Sequence, residues 1–311
     1  MLLVSRAAAR MNLGALGALG AAALLAACWS WAGCSQEAAP PDQGGPSAAD
    51  ESGKTDNPQL DGGPTPAPDP GPPTDVKRPR VGATWQWQLT GTIDTSVDAD
   101  VFDIDLFDND AQVVDELHAK GAYVICYLSV GSYEDWRPDA GDFPAAVLGN
   151  DYEGWAGEKW LDIRRLDLLG PIMRARLDLC KEKGFDGIEP DNMEIYSNDT
   201  GFNLTKADEA TYARWLAKEA HDRGLSIGMK NTVEQVGVLE PVFDWALTED
   251  CADQGWCDDM APFVAHGKPV FVCEYTDTGA TLGGFCGGVT DVQFSGILKH
   301  RDLDGWRRVC P

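Results

Sequence analysis

The sequence predicts an α/β fold, a single (β/α)8 TIM barrel, from three observations. Short apolar, strand-like runs alternate with amphipathic stretches across residues 77–311, glycines punctuate the helix-to-strand junctions, and the strand ends are polar. The strand candidates are 81–88, 101–107, 122–129, 160–164, 185–191, 225–231, 243–250 and 269–275. Helix candidates between them are 109–119, 169–183 and 206–223, with shorter ones near 233–240, 256–266 and 292–299. In 206–223 the apolar residues Ala210, Ala213, Leu216, Ala217 and Ala220 recur at helical spacing. Gly121, Gly184, Gly224 and Gly267 each follow a helix candidate and precede a strand, the place of a glycine that stops a helix. A doubly wound open sheet is the competing architecture. It calls for a Gly-rich phosphate loop after the first strand, and Trp85-Gln86-Trp87-Gln88 is unlike one.

The first 76 residues read differently. Two arginines precede an apolar run from Leu13 to Ala27, too short to span a bilayer but suited to an export signal. The run ends Leu25-Ala26-Ala27-Cys28, which resembles a bacterial lipobox. Residues 1–28 are thus expected to be a lipoprotein signal peptide with Cys28 as the lipidated residue. Cys34 is a second candidate, and ordinary cleavage with secretion is the alternative. Trp29 after the cysteine points to the outer membrane or cell surface. Residues 29–76 are rich in Pro, Gly and Asp and hold too few large apolar side chains for a core, so they are expected to form a disordered linker. The catalytic domain is placed at 77–311.

Charge narrows the function. The chain carries 50 acidic and 25 basic residues, a net −25. The first 76 residues hold only 8 of the acids and 3 of the bases, which leaves 42 and 22, a net −20, on the remainder. Phosphate-backbone contact needs Lys and Arg to displace counterions, so no nucleic-acid partner is expected. A neutral or cationic substrate suits such a field. The four histidines, His118, His221, His266 and His300, lack ligand spacing, and neither a metal site nor a cofactor is expected.

In a barrel of this kind functional groups sit at the C-terminal strand ends. Here those ends carry Asp103 and Asp105, Ser129 with Glu134 beyond it, Asp162, Glu189 and Asp191, Lys230 and Asn231, Glu249, and Glu274. One such acid is ordinarily a solvated loop residue or a helix cap, but six strands ending in carboxylates form a pattern. Carboxylates converging on one mouth raise one another's pKa and attract cations. Strand alternation puts Glu189 and Asp191 on one face of Phe185-Asp186-Gly187-Ile188-Glu189-Pro190-Asp191-Asn192. Glu249 closes another strand. Two carboxylates from separate strands facing one cleft suit glycosidic hydrolysis, in which one protonates the leaving oxygen and the other attacks or stabilises the oxocarbenium-like centre.

These residues resemble glycoside hydrolase family 114, the endo-α-1,4-polygalactosaminidases, over about 81–310. The resemblance rests on Trp85-Gln86-Trp87-Gln88-Leu89, Cys126-Tyr127-Leu128-Ser129-Val130-Gly131, Trp160-Leu161-Asp162, the segment 186–192, Gly228-Met229-Lys230-Asn231, Glu249-Asp250-Cys251 and Glu274-Tyr275. It implies a barrel glycosidase that cuts α-1,4-linked galactosamine polymers internally. Its essential acids correspond to Asp191, as nucleophile or stabiliser, and Glu249, as acid/base, with the two labels exchangeable. Met193-Glu194 departs from the usual aliphatic-acid pair. The same run resembles family 18 chitinases, whose catalytic Glu stands two places beyond the last Asp. Met193 occupies that position here, and Glu194 falls one place too late to share the face of Asp191.

Around the acid pair, Lys230 is expected to hold Asp191 or Glu189 ionised, or simply to neutralise a buried acid. Trp87, Tyr127 and Tyr275 are candidate stacking faces for sugar. Asp105, Ser129, Glu134, Glu189, Asn192, Asn231 and Glu274 complete the substrate-binding candidates. Among seven cysteines in the barrel region, Cys251–Cys257 and Cys286–Cys310 are the expected bridges. Cys126, Cys180 and Cys273 read as buried apolar residues, and the odd total leaves at least one thiol free. The expected protein is a monomer whose partner is a galactosamine-containing polysaccharide and which meets the membrane only through its lipid. A non-catalytic carbohydrate-binding barrel, or a glycosidase of another amino-sugar polymer, is the alternative.

Overall fold

A computed structural model describes residues 71, 73 and 75–311, so the expected signal peptide, Cys28 and most of the linker lie outside the described residues. Twelve strands are present among the described residues. They are β1 (Trp85–Gln88), β2 (Val101–Asp105), β3 (Tyr123–Ser129), β4 (Ser132–Glu134), β5 (Leu148–Asp151), β6 (Glu158–Leu161), β7 (Gly187–Asp191), β8 (Ser226–Lys230), β9 (Trp245–Glu249), β10 (Val270–Tyr275), β11 (Ser295–Lys299) and β12 (Arg308–Val309). One curled sheet runs β1-β2-β3-β7-β8-β9-β10-β11-β12. It is parallel through β11, and β12 pairs antiparallel with β11. The helices are α1 (Ala111–Ala119), α2 (Leu166–Glu182), α3 (Lys206–His221), α4 (Val236–Leu239), α5 (Cys251–Gln254), α6 (Ala261–Ala265) and α7 (Leu282–Asp291). Among the described residues, no helix is long and apolar enough to cross a membrane.

Period-2 alternation divides the core into two layers. Trp85, Trp87, Val101, Tyr123, Ile125, Trp245, Leu247, Phe271, Cys273, Tyr275 and Ile297 pack together inside the curl. Phe102, Ile104, Val124, Cys126, Ile188, Ile227, Val272 and Leu298 face outward and pack with buried helix residues such as Leu117, Met173, Leu177, Ala213 and Leu216. Side chains bridge the seam between the first and eighth parallel strands. Trp85 Nε1 donates to the Ser295 carbonyl at 2.8 Å, and Lys299 Nζ donates to Gln86 Oε1 at 3.3 Å.

Local signals explain the element boundaries. Asp110 caps α1 by accepting from the Val113 N–H, and Thr205 with Asp208 forms a capping box on α3. Gly121, Gly184, Gly224 and Gly267 all take positive φ just past a helix, as expected from their positions.

Two element assignments differ from expectation. The run 160–164 is not a strand of the main sheet. Trp160 and Leu161 belong to β6, which with β4 and β5 makes a small antiparallel sheet inserted between β3 and α2. Alternation alone does not distinguish the two settings. The run 292–299 is not helical but supplies β11, the eighth parallel strand. The helix before it, α7, holds Gly283, Gly284, Gly287 and Gly288, which mask its buried stripe of Phe285, Cys286 and Val289. Asp191 and Glu249 therefore end the fourth and sixth parallel strands, and β1 joins β2 without a helix.

Cys251–Cys257 and Cys286–Cys310 are bridged as expected. Cys126 and Cys180, read as apolar core, instead form a third disulfide from β3 to α2, and Cys273 is the free, buried thiol. That bridge closes a loop of 54 residues. Replacing both of its cysteines with alanine is expected to lower stability by about 2–4 kcal/mol, read from denaturant unfolding under oxidising conditions.

Candidate active site

The ammonium of Lys230 is the centre of the site. Its side chain is 1% exposed, yet Nζ lies 2.9 Å from Glu189 Oε1, 2.6 Å from Asp191 Oδ1 and 3.1 Å from Glu249 Oε2. The Trp87 ring covers it, with its centroid at 4.8 Å. Three strands supply these contacts: β7 gives Glu189 and Asp191, β8 gives Lys230 and β9 gives Glu249. Two oxygens 2.6 and 3.1 Å from one nitrogen can be at most about 5.7 Å apart, so the nearest oxygens of Asp191 and Glu249 meet across one cleft.

Each of the two acids has further donors. Tyr127 OH donates to Asp191 Oδ2 at 2.8 Å, and Tyr275 OH donates to Glu249 Oε1 at 2.5 Å. Asn231 holds Glu249 from two sides, accepting its backbone N–H at 2.9 Å and donating to Oε2 at 3.3 Å. Burial alone would raise the Asp191 carboxyl, but Lys230 and the Tyr127 hydroxyl outweigh it and hold the group below the usual aspartate value. Burial pushes Glu189 up to about 7 even against the charge of Lys230. Lys230 is desolvated too, but the surrounding carboxylates raise its pKa well above that of a free lysine.

Backbone conformation concentrates here as well. Asn192, Asn231, Thr232 and Asp250 take φ of 62°, 47°, 41° and 54°, immediately after Asp191, Lys230 and Glu249. These left-handed turns end the three strands abruptly and point their last side chains into the cleft. Gly131 lets the loop after β3 touch the Asn192 turn, since a Cβ there would fall 1.7 Å from the Asn192 carbonyl oxygen.

Of the expected site residues, Asp191, Glu249, Glu189, Lys230, Asn231, Trp87, Tyr127 and Tyr275 converge on this centre. The others do not reach the lysine. Asn192 Nδ2 donates to Ser129 Oγ at 2.9 Å and Ser132 Oγ at 3.0 Å, so Asn192 and Ser129 brace the rim. Asp105 is held by two nitrogens of Arg137, at 2.9 and 2.6 Å, and Glu134 is ion-paired to the same guanidinium at 2.8 Å. The oxygens of Glu274 accept from the Ala252 and Asp253 N–H groups at 2.8 and 3.2 Å and cap α5. The structure adds two acids that sequence reasoning left out. Glu194 lies 3.4 Å from Asn231 Nδ2, and burial raises it to about 7. Glu158, on β6, accepts from Ser132 Oγ at 2.8 Å, and burial raises it to about 8. Only its place beside Asp191 in sequence could have flagged Glu194. Glu158 carried no signal once its strand was read as part of the main sheet.

A curled parallel sheet with carboxylates from β7 and β9 facing one cleft is the arrangement that glycosidic hydrolysis uses. The chain belongs to glycoside hydrolase family GH114, whose family model matches residues 65–311. It is 40% identical to Ega3 from Aspergillus fumigatus, crystallised in complex with galactosamine. That match has a TM-score of 0.73 and covers 76% of this chain and 99% of the Ega3 chain. The glycoside hydrolase domain of PelA from Pseudomonas aeruginosa shares the fold at 14% identity, with a TM-score of 0.58 over 72% of this chain and 97% of that domain. No curated protein sequence matches.

The raised acids make stability depend on pH with a definite sign. Glu158 and Glu194 bind protons more tightly folded than unfolded, because their pKa values move from 4.5 to about 8 and 7. Between those limits the folded state holds more protons, so stability falls as pH rises. Asp191 acts oppositely: its contribution is present above 3.8 and lost as pH falls through its lowered folded value. The melting temperature is expected to decline from about pH 4.5 to about pH 8, as a scanning calorimetry series would show.

Proposed function

We propose that the chain is an endo-acting glycosidase that cleaves α-1,4-linked galactosamine-containing exopolysaccharide, with Asp191 as nucleophile and Glu249 as acid/base. The observation that carries this reading is the attachment of both acids to one ammonium, at 2.6 and 3.1 Å. That closeness suits the two-step, retaining geometry, in which the carboxyls stand about 5–5.5 Å apart. Asp191, kept ionised by Lys230 and Tyr127, attacks the anomeric carbon as the glycosidic C–O bond breaks. Glu249 gives its proton to the departing oxygen. It then takes a proton from water, which attacks the same carbon and releases Asp191 as carboxylate.

Several observations support the substrate. De-acetylated galactosamine is cationic, and residues 77–311 carry a net charge of −20. Glu194, linked to Glu249 through Asn231, adds a carboxyl near the acid pair. Ega3, 40% identical, was crystallised with galactosamine. The side-chain bridges at the β1–β11 seam further support reading the curled sheet as a closed (β/α)8 barrel. A non-catalytic binding barrel would have no use for an acid pair so closely held.

We also propose, from Leu25-Ala26-Ala27-Cys28 and the Pro-rich run behind it, an exported monomer. Lipid on Cys28 would anchor it to the outer membrane or cell surface, with 29–76 as a spacer. Cys28→Ser is expected to move the protein from the membrane fraction to the soluble fraction on cell fractionation. Retention at the membrane would overturn the anchor.

For the chemistry, residues 77–311 are expected to release new reducing ends from partly de-acetylated α-1,4-galactosaminan. NMR of the fresh product should show the α-anomer first. Asp191→Asn and Glu249→Gln should each cut kcat by about 10²–10⁴-fold. Parent-like turnover in either variant would remove that residue from the mechanism.

A further inference from the structure

Below the acid pair lies a second pair of carboxyls that the proposed reaction does not use. Asp103 on β2 is 0% exposed, and neither of its oxygens meets an N–H or O–H donor among the described residues. Trp87, its register partner on β1, does not serve it, since Trp87 Nε1 is itself buried without a partner. Glu189 is also 0% exposed. Its Oε1 accepts from Lys230 at 2.9 Å, while its Oε2 has no such donor. The side-chain carboxyl of Glu189 is the group beside Asp103. Two buried carboxyls side by side cannot both be ionised when the one ammonium nearby, Lys230, is bonded to Glu189 and Asp191 and not to Asp103.

We propose that Asp103 and Glu189 share one proton beneath the cleft, and that this pair fixes the position and charge balance of Lys230. Both are thereby positioning residues for the glycosidase reaction. The inference rests on the reading of Asp191 and Glu249 as its acids. The proton sits on Asp103, which donates to Glu189 Oε2. That leaves Glu189 anionic, with Oε1 free to accept from Lys230. Burial first, and the neighbouring Glu189 second, raise the Asp103 carboxyl well above the usual range, in keeping with this arrangement. The groups facing Glu189 are Asp103 from β2, Tyr127 beside it on β3, Asp191 above it on β7 and Lys230 from β8, with Glu249 of β9 reached through Lys230. An anionic Glu189 takes part of the ammonium's charge. Asp191 and Glu249 then compete for the rest, which lets one acid stay ionised while the other keeps a proton.

The test is the pH profile of kcat/KM on the galactosamine polymer. Glu189→Gln deletes one anion beside Lys230, so protons leave the acid pair more readily. Both limbs of the bell should move to lower pH by at least about one unit, with about a tenfold loss on the alkaline side. Asp103→Leu removes the donor to Glu189, which must then take the proton itself, so the same displacement is expected. Asp103→Asn still donates through its amide and should keep the profile in place. A Glu189→Gln profile that superimposes on the parent's would overturn the proposal. Infrared spectroscopy of the unsubstituted protein gives a readout independent of turnover and of variant folding. A protonated-carboxyl C=O band should persist at alkaline pH after the other raised carboxyls, Glu158 among them, have lost their protons, and Asp103→Asn should abolish it. Its absence from the parent, or its survival in Asp103→Asn, would also refute proton sharing. If the parent cleaves no polymer, the glycosidase substrate reading fails instead, and the infrared arm still decides the pair.

Discussion

A cation buried to 1% exposure can persist only if its surroundings replace water, and that requirement organises this protein. Lys230 donates to Glu189 and Asp191 of β7 and lies 3.1 Å from Glu249 of β9, the strands on either side of its own. The acids need the lysine equally, because like charges so close would otherwise force one another to protonate. One positive charge among several potential negative ones leaves a deficit that is met by protons. A site with more acids than its cation can neutralise holds some carboxyls ionised and others protonated at the same pH, which is the division that glycosidic chemistry needs.

The scaffold serves that centre through short connections. Left-handed residues after three consecutive strands stop the chain where the functional side chains must turn inward, and two of the four are Asn, which tolerates that conformation better than most residues. Behind Glu249, the Cys251–Cys257 bridge and the carboxyl of Glu274 hold α5 against β10, whose Tyr275 reaches back to Glu249. On the other flank, Arg137 collects Asp105 and Glu134, and Arg176 pairs with Asp139 while donating to the Ser129 carbonyl. Asp105 and Glu134, far from the lysine, thus find a guanidinium partner of their own, which keeps them from adding to the charge at the cleft.

Much of this was legible in the sequence because alternation and terminal position are strong signals. Asp191, Lys230 and Glu249 end apolar strands, so each had to emerge at the same rim, and the glycines after α1, α2 and α3 marked where the next strand began. Asp105, Glu134 and Glu274 end or follow strands in the same way. Arg137 lies far from Asp105 in sequence, though only three residues from Glu134, and the partners of Glu274 are backbone N–H groups of α5, so strand-end position alone did not reveal them. Cys126 and Cys180 satisfied an apolar pattern as well as a bridged one, since a half-cystine and a buried thiol occupy similar positions. The exchange of 160–164 for β11 had a related cause. Short apolar runs do not declare their sheet, and a glycine-rich helix does not declare itself.

The segment after Asp191 shows where strand logic stops. Continued alternation would turn Met193 toward the cleft with Asp191 and turn Glu194 away. At Asn192 the chain instead swings into the left-handed region, with φ at 62°, and the alternation ends there. Met193 is buried at 1% exposure in the outer core, whereas Glu194 comes round to face Asn231 and, through it, Glu249. The position at which the chitinase pattern requires a catalytic glutamate is therefore occupied by an apolar side chain that points into packing. The glutamate read as one place too late lies beside the acid pair after all. A single turn thus puts an apolar side chain where the chitinase pattern needs its glutamate, and it brings a further buried carboxyl close to Asn231 and Glu249.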